Sequence, residues 1–236
     1  GGFHITASYG AILLPEESND PVEAMQLVDQ RMYAQKTSGR RSPDRQSRDV
    51  LLRALQERTP ELAERHAATA RLAEAVGARM GLPAEERAQL RQAAELHDVG
   101  KLGIPDEILN KPGVLSEDEW AFMRRHTLIG ERILAAAPAL TAASRLVRST
   151  HENFDGSGYP DGLAGEQIPL ESRIVAVCDA YVAMVSARPY RGAMDWARAL
   201  AELRRCAGTQ FDPSVVDVFA EVLIERARRS TAAVEV

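Results

Sequence analysis

Four of the five histidines in this chain stand at positions from which an imidazole could reach a shared centre: His66, His97, His126 and His151. His97 is followed directly by Asp98, within the run ELHDVGKLGIP. Neighbouring residues on a helix diverge by about 100°, so an adjacent His and Asp do not normally share a partner. A pair of metal ions is a partner they can share, the carboxylate bridging and the imidazole capping one ion. Gly100 and Gly103 let the backbone turn close to such a centre, and Lys101 sets a cation beside it. Taken singly, each histidine reads as a satisfied core or surface residue. Taken together, on successive helices, they read as one cluster of ligands. His4 is left as a structural residue of a strand.

Asp179 is an independent pointer. It lies in RIVAVCDAYVAMV, with no other charge between Arg173 and Arg188. A carboxylate on an apolar helix must be paired, protonated or metal-bound, because burying it bare costs several kcal/mol. A buried ion pair to an arginine is the plain alternative, but the imidazole cluster and a second carboxylate favour metal ligation. The segment HENFDGSGYPDGLAGEQIP (151–169) carries Gly156, Gly158, Gly162 and Gly165, which permit turns that a β-carbon would block. An irregular connector of that length inside a helical domain is uncommon unless it is functional. Glu152 and Asp155 within it are expected to orient ligating groups. Arg188 and Arg191, flanking Pro189-Tyr190, suit phosphate capture or stacking on a base.

The elements that must position these groups are mostly helices. Aromatics are 5% of the chain and Ala, Leu, Arg and Glu dominate, while 45% hydrophobic residues suffice for a core. Helical patterning runs from Val50 to Pro105 with a break at Gly81-Leu82-Pro83, then over about 116–137, 139–151, 170–187, 193–207 and 213–228. Residues 3–14 (FHITASYGAILL) read as a strand, and Asp20-Pro21 opens a helix to about Lys36. Residues 41–48, polar and interrupted by Pro43, read as a linker. The expected architecture is therefore mainly α: a helical bundle over 49–236 with one long Gly-rich loop, preceded by a small β-α piece at 1–40. A net charge of −5 gives no broad basic face for duplex nucleic acid, and no stretch is apolar enough to span a bilayer, so a cytoplasmic location is expected. Cys178 and Cys206 are too few for a disulfide framework, and Cys178 reads as a small core residue.

Several strings together resemble the HD-GYP family: His97-Asp98-Val99-Gly100-Lys101, Gly103-Ile104-Pro105, Lys111-Pro112-Gly113, His151-Glu152, Asp155-Gly156-Ser157-Gly158-Tyr159-Pro160 and Arg188-Pro189-Tyr190-Arg191. These are bacterial phosphodiesterases of the HD superfamily that hydrolyse cyclic di-GMP, and the resemblance covers roughly residues 49 to 228. It implies one metal held by His66, His97, Asp98 and Asp179, with Asp98 bridging to a second completed by His126 and His151. It further implies that Lys101 meets the scissile phosphate and that Lys111, Tyr159, Arg188 and Arg191 hold the dinucleotide. Where the family usually has two consecutive histidines, this chain has Thr150-His151, which weakens the second position. Leu62 and Val182 stand where some members carry acidic ligands for a third metal, so two metals are expected and not three. Residues 1–40 resemble the tail of a GGDEF domain through Ile5-Thr6-Ala7-Ser8-Tyr9-Gly10, Asp29, Met32-Tyr33-Ala34, Lys36 and Gly39-Arg40. The nucleotide-binding part of such a domain is missing, so the chain is expected to be a piece of a longer protein that associates with GGDEF domains or with a second copy.

The implied chemistry is metal-assisted hydrolysis of cyclic di-GMP to the linear dinucleotide pGpG, to GMP, or to both. Mixed imidazole and carboxylate ligation favours iron or manganese over zinc, with nickel or magnesium also able to fill the site. Three other readings stay open: a dinucleotide sensor that binds without cutting, a phosphohydrolase for a mixed cyclic dinucleotide, and an interaction module built on the Gly-rich loop.

Overall fold

The computed structural model describes residues 11–39, 43–187 and 192–232. The described residues form eleven α-helices and no β-strand, in keeping with the mainly α expectation. The chain divides into two compact units, Gly1–Ser47 and Arg48–Val236.

In the first unit, α1 (Pro21–Gly39) begins where Asp20-Pro21 predicts. The Asp20 carboxylate accepts from the backbone N–H groups of Val22 (2.7 Å) and Glu23 (3.3 Å), satisfying two otherwise orphaned donors. Most of the predicted strand 3–14 falls outside the described residues. Its described end, Ala11–Leu14, is irregular and enters a turn rather than pairing. The boundary between the two units falls within the predicted linker 41–48, whose described residues 43–48 are helical, as the start of α2 (Pro43–Arg58). Proline is tolerated at a helix's first position, where its missing N–H is not needed, and the Arg and Gln that follow favour the helix.

The second unit continues with α3 (Ala63–Arg79) and α4 (Ala84–Leu96), a 3₁₀ segment (Val99–Gly103), and α5 (Asp106–Leu109). Next come α6 (Glu117–Arg124), α7 (His126–Ala135), α8 (Thr141–Arg148), α9 (Leu170–Val185), α10 (Trp196–Arg205) and α11 (Pro213–Ala232). Helix α3 packs on both α4 and α9, α10 and α11 close over α9, and α7 lies on α8 and on the 3₁₀ segment. One core joins α3, α4, α9, α10 and α11 around Val76, Leu90, Ile174, Val177 and Phe219, with Cys178 buried among them as expected. A smaller core joins α4, α7 and α8 through Leu96, Leu134 and Val147. The 3₁₀ segment reaches α7 only because Gly100 lacks a side chain: a β-carbon there would lie 1.8 Å from the His126 carbonyl oxygen.

One predicted helix is two. The pattern over 116–137 breaks at Arg125, so that α6 ends and His126 opens α7. Ser116 and Glu119 form a reciprocal capping box at the start of α6. Residues 151–169 are the irregular loop that the glycines predict, with a single 3₁₀ turn at Gly165–Gln167.

Candidate metal centre

Three helix ends aim the central side chains by the same device. The last carbonyls of a helix have no intrahelical partner, so a side-chain donor just beyond them can cap one. His97, capping α4, places Nδ1 2.9 Å from the Ala94 carbonyl. His126, just past α6, places Nδ1 2.8 Å from the Met123 carbonyl. A carbonyl only accepts, so both Nδ1 atoms carry a proton and both Nε2 atoms are turned to the centre, that of His97 towards two carboxylates and that of His126 as a lone-pair donor. Thr150, just past α8, spends its hydroxyl proton likewise on the Val147 carbonyl, at 3.0 Å. The end of α4 also explains how neighbours His97 and Asp98 serve one centre: the helix stops at Leu96, and Asp98 opens the 3₁₀ segment instead of continuing the 100° rotation.

Asp98 is the hub. Its Oδ2 lies 3.1 Å from His66 Nε2, 2.7 Å from Lys101 Nζ and 3.6 Å from His97 Nε2, and its Oδ1 lies 3.8 Å from His126 Nε2. Two groups of donor atoms, each within 4.8 Å of one another, meet at this carboxylate: His66–His97–Asp98 and Asp98–His126–His151. Asp179, from α9, brings Oδ1 to 3.5 Å from His97 Nε2 and 3.9 Å from an Arg65 nitrogen, both too long for a good hydrogen bond. Its arginine partner is thus distant, and its carboxylate faces the same centre as the imidazoles. His97, His151 and Asp179 line a cavity of about 390 Å³, together with Arg124, Thr150, Tyr159 and Gln210.

The electrostatics divide this cluster. Burial acts to lower the pKa of His97, but the carboxylates of Asp98 and Asp179 outweigh it and hold the ring at about 9. Burial acts to raise Asp98 and Asp179. Lys101 and His97 nonetheless hold Asp98 well below the usual carboxylate range, and His97 holds Asp179 down at about 2. On the other side, burial lowers His126, and burial together with the nearby His126 ring pushes His151 down to about 3. The Nε2 atoms of His126 and His151 are buried without a hydrogen-bond partner. Two orphaned, neutral imidazole nitrogens facing a carboxylate are the donor set of a divalent cation, so the residues present fit such an ion.

The Gly-rich loop is fastened from within. Glu152 is buried and accepts from the N–H groups of Asp161 (2.7 Å) and Leu163 (3.1 Å). Arg148, on α8, binds both carboxylate oxygens of Asp161, at 2.6 and 2.7 Å. Gly158 passes so close to the start of the loop that a β-carbon would lie 2.2 Å from the Asn153 nitrogen. Tyr159 is thereby stacked on His151, with ring centres 5.2 Å apart and planes 7° from parallel.

Of the predicted site residues, the structure gathers His66, His97, Asp98, Lys101, His126, His151, Asp179, Thr150 and Tyr159, with Glu152 bracing the loop behind His151. Asp155 is not among them: its exposed carboxylate accepts from the Ser157 N–H (2.9 Å) and hydroxyl (2.6 Å) and shapes a turn. Lys111 is exposed, bonded to Glu119 at 2.6 and 2.9 Å, and is not part of the cavity wall. Arg188 and Arg191 lie outside the described residues. Leu62 and Val182 carry no side-chain ligand atom. The sequence reading missed Arg65, beside His66 on α3, and Arg124, whose guanidinium stands 5.5 Å from the Tyr159 ring centre. Their only signal was adjacency to a histidine or its helix.

The chain belongs to the HD-domain family, whose model matches residues 49–215. It is 48% identical over 144 residues to the cyclic di-GMP phosphodiesterase response regulator RpfG of Xanthomonas campestris pv. campestris, covering 60% of this chain and 38% of that protein. It is 41% identical over 128 residues to the 3'3'-cGAMP-specific phosphodiesterase 3 of Vibrio cholerae, covering 54% of this chain and 28% of that one. The chain therefore spans well under half the length of these relatives. In fold it is similar to the HD domain of the phosphodiesterase PgpH from L. monocytogenes, with a TM-score of 0.55 at 18% identity, over 77% of this chain and 98% of that one.

Proposed function

We propose that this chain hydrolyses a phosphodiester bond of a cyclic dinucleotide, cyclic di-GMP first among them, at a centre holding two divalent metal ions. The observation that carries the reading is the pair of donor groups sharing Asp98, one of them containing two buried imidazole nitrogens with no partner. His66, His97, Asp98 and Asp179 would hold one ion, and Asp98, His126 and His151 the other. Bound ions would supply Lewis acidity and an activated water at neutral pH. Iron or manganese suits these ligands best. No third ion is proposed, since Leu62 and Val182 have no ligand atom. Lys101 spends one of its three protons on Asp98 and keeps two to donate to the phosphate oxygens as charge gathers on them. Tyr159, fixed against His151, forms a wall for a nucleobase. Arg188 and Arg191 are kept as further contacts to the dinucleotide.

Relatives act on two kinds of cyclic dinucleotide by name, cyclic di-GMP and 3'3'-cGAMP, and the larger identity favours the first. The GGDEF-like reading of residues 1–40, association with such domains or a second copy, and a cytoplasmic location are part of the same proposal. Among the described residues no helix is long and apolar enough to cross a membrane.

A second reading rests on Thr150. Its proton is committed to Val147, so it offers the second ion only a neutral oxygen lone pair where an imidazole would bind more firmly. On that reading the chain binds the dinucleotide and cuts it slowly or not at all. Anaerobic reconstitution with Fe(II) or Mn(II), followed by chromatography of cyclic di-GMP and its products, tests both. Metal-dependent loss of substrate supports the hydrolase and reveals pGpG or GMP. Bound metal and bound dinucleotide without turnover would leave the sensor.

A further inference from the structure

We infer that Arg124 is a specificity-determining contact, holding the phosphate of the substrate that is not being cut; this rests on the cyclic-dinucleotide reading above. Among the described residues, Arg124 is the one lysine or arginine in the cavity wall. It ends α6, two residues before His126, so it projects from the same helix junction that aims a central imidazole. Of the other described cations near the centre, Lys101 is bonded to Asp98 and Arg148 is locked between Asp161 and Glu131, while Arg65, 3.9 Å from Asp179, is not part of the cavity wall. Arg124 has no carboxylate partner among the described residues; what holds it is the face of Tyr159, 5.5 Å away. A guanidinium over an aromatic face is steadied by the ring's electrons while its N–H fork stays free at the edge.

The chemistry of the substrate gives that fork an occupant. A cyclic dinucleotide carries two phosphodiesters on opposite sides of one ring. When one lies at the Asp98 centre with Lys101, the other needs a counter-charge at a distance across the cavity. Arg124 lines that cavity along with His97, Asp179 and Tyr159, and its planar fork matches two phosphate oxygens at once. Arg125, next to it, stacks on Phe122 and is not part of the cavity wall. The bland reading, a cation closing the C-terminus of a short helix, serves either arginine equally and does not explain which one faces the cavity.

The test compares two substrates on the metal-loaded full chain: cyclic di-GMP, with two phosphodiesters, and bis(p-nitrophenyl) phosphate, with one. Losing a charge-assisted contact made to ground state and transition state alike raises KM and spares kcat. For Arg124→Ala the expectation is a KM for cyclic di-GMP raised about 10- to 100-fold with kcat within about threefold. The same variant should keep kcat/KM for bis(p-nitrophenyl) phosphate within about twofold, and Arg124→Lys should recover part of the affinity without the fork. Equal losses on both substrates would overturn the inference and assign Arg124 to support of Tyr159 and His151. Unchanged binding and turnover of cyclic di-GMP in the alanine variant would also overturn it, with the dinucleotide reading intact. A wild type that cuts bis(p-nitrophenyl) phosphate but neither cuts nor binds cyclic di-GMP would remove that reading itself, and this inference with it.

Discussion

Around His97 the polar groups answer one another. Its ring stands between the Asp98 and Asp179 carboxylates, and Asp98 also takes His66 and Lys101. A few ångströms away, the rings of His126 and His151 stand 4.8 Å apart, each with an Nε2 that has no hydrogen-bond partner among the described residues. Both halves use imidazoles on helix ends, yet the first holds its ring at about 9 and the second holds His151 at about 3. The difference lies in where the carboxylates fall: two beside His97, and only the far oxygen of Asp98 near His126. The first half is close to balanced by its own proton and lysine, whereas the second leaves two buried imidazole nitrogens unpartnered among the described residues, where the proposed second ion would sit. The two halves should therefore respond differently to substitution, pH and metal.

The largest expected effect removes what the halves share. Asp98→Ala should lower kcat/KM for cyclic di-GMP by at least about a thousandfold and abolish paired metal binding, as steady-state kinetics and elemental analysis would reveal. Near wild-type turnover would break the shared-carboxylate scheme.

In the metal-free protein the halves should pull stability in opposite directions with pH. His97 holds its proton more tightly folded, at about 9 against an ordinary 6.5, so its contribution is full below 6.5 and is lost as pH rises through 9. His151 is the reverse, because the unfolded chain takes up a proton near 6.5 that the folded ring refuses until about 3. Its contribution is full above 6.5 and is lost as pH falls towards 3. Denaturant unfolding of chelated protein should show a maximum near pH 6.5, falling by on the order of a few kcal/mol on either side. A profile that rises steadily from pH 6.5 to 9 would contradict the environment assigned to His97.

The Gly-rich loop braces the second half alone. Glu152→Ala strands the N–H groups of Asp161 and Leu163, and should cost about 1–3 kcal/mol in stability by thermal unfolding. The comparison is sharpened by Thr150→His, which adds an imidazole to the deficient half. Calorimetric titration should show the weaker of two metal-binding events tightened by about tenfold, some 1.4 kcal/mol, with the stronger unchanged. The smallest effect belongs to Arg148→Ala. It loosens a partly exposed ion pair to Asp161 and should lower stability by less than about 1 kcal/mol.

Much of this was legible in the residues. The helical periods located α9, α10 and α11 and the break between α3 and α4, but not the break between α2 and α3 at Thr59-Pro60, and Asp20-Pro21 placed the start of α1. Asp98 and the four histidines other than His4 were singled out by spacing, and Asp179 by its isolation on an apolar helix. Pro43 opens α2 inside the predicted linker, since a proline marks a helix start as readily as a break. The split of 116–137 at Arg125 was hidden because no residue at the break, 123–127, is a glycine or proline. Asp155 was grouped with the site by its place in the Gly-rich loop and Lys111 by resemblance, while their side chains find nearer partners in Ser157 and Glu119.

Residue types and their intervals determined the chemistry by themselves: which imidazoles and carboxylates exist, on which helices, and that Gly100 and Gly103 let the backbone turn close to them. Tertiary structure alone decided how these groups divide. Whether an imidazole is protonated or keeps an unshared lone pair depends on the carboxylate across from it, and that distance arises from packing α9 and the 3₁₀ segment around α4. The same holds for Arg124. Its neighbour Arg125 has the same side chain, and only the turn between α6 and α7 separates the one that faces the cavity from the one that does not. Periodicity encodes which side of a helix is apolar, whereas Coulomb interactions depend on distances between helices, which no interval along the chain contains.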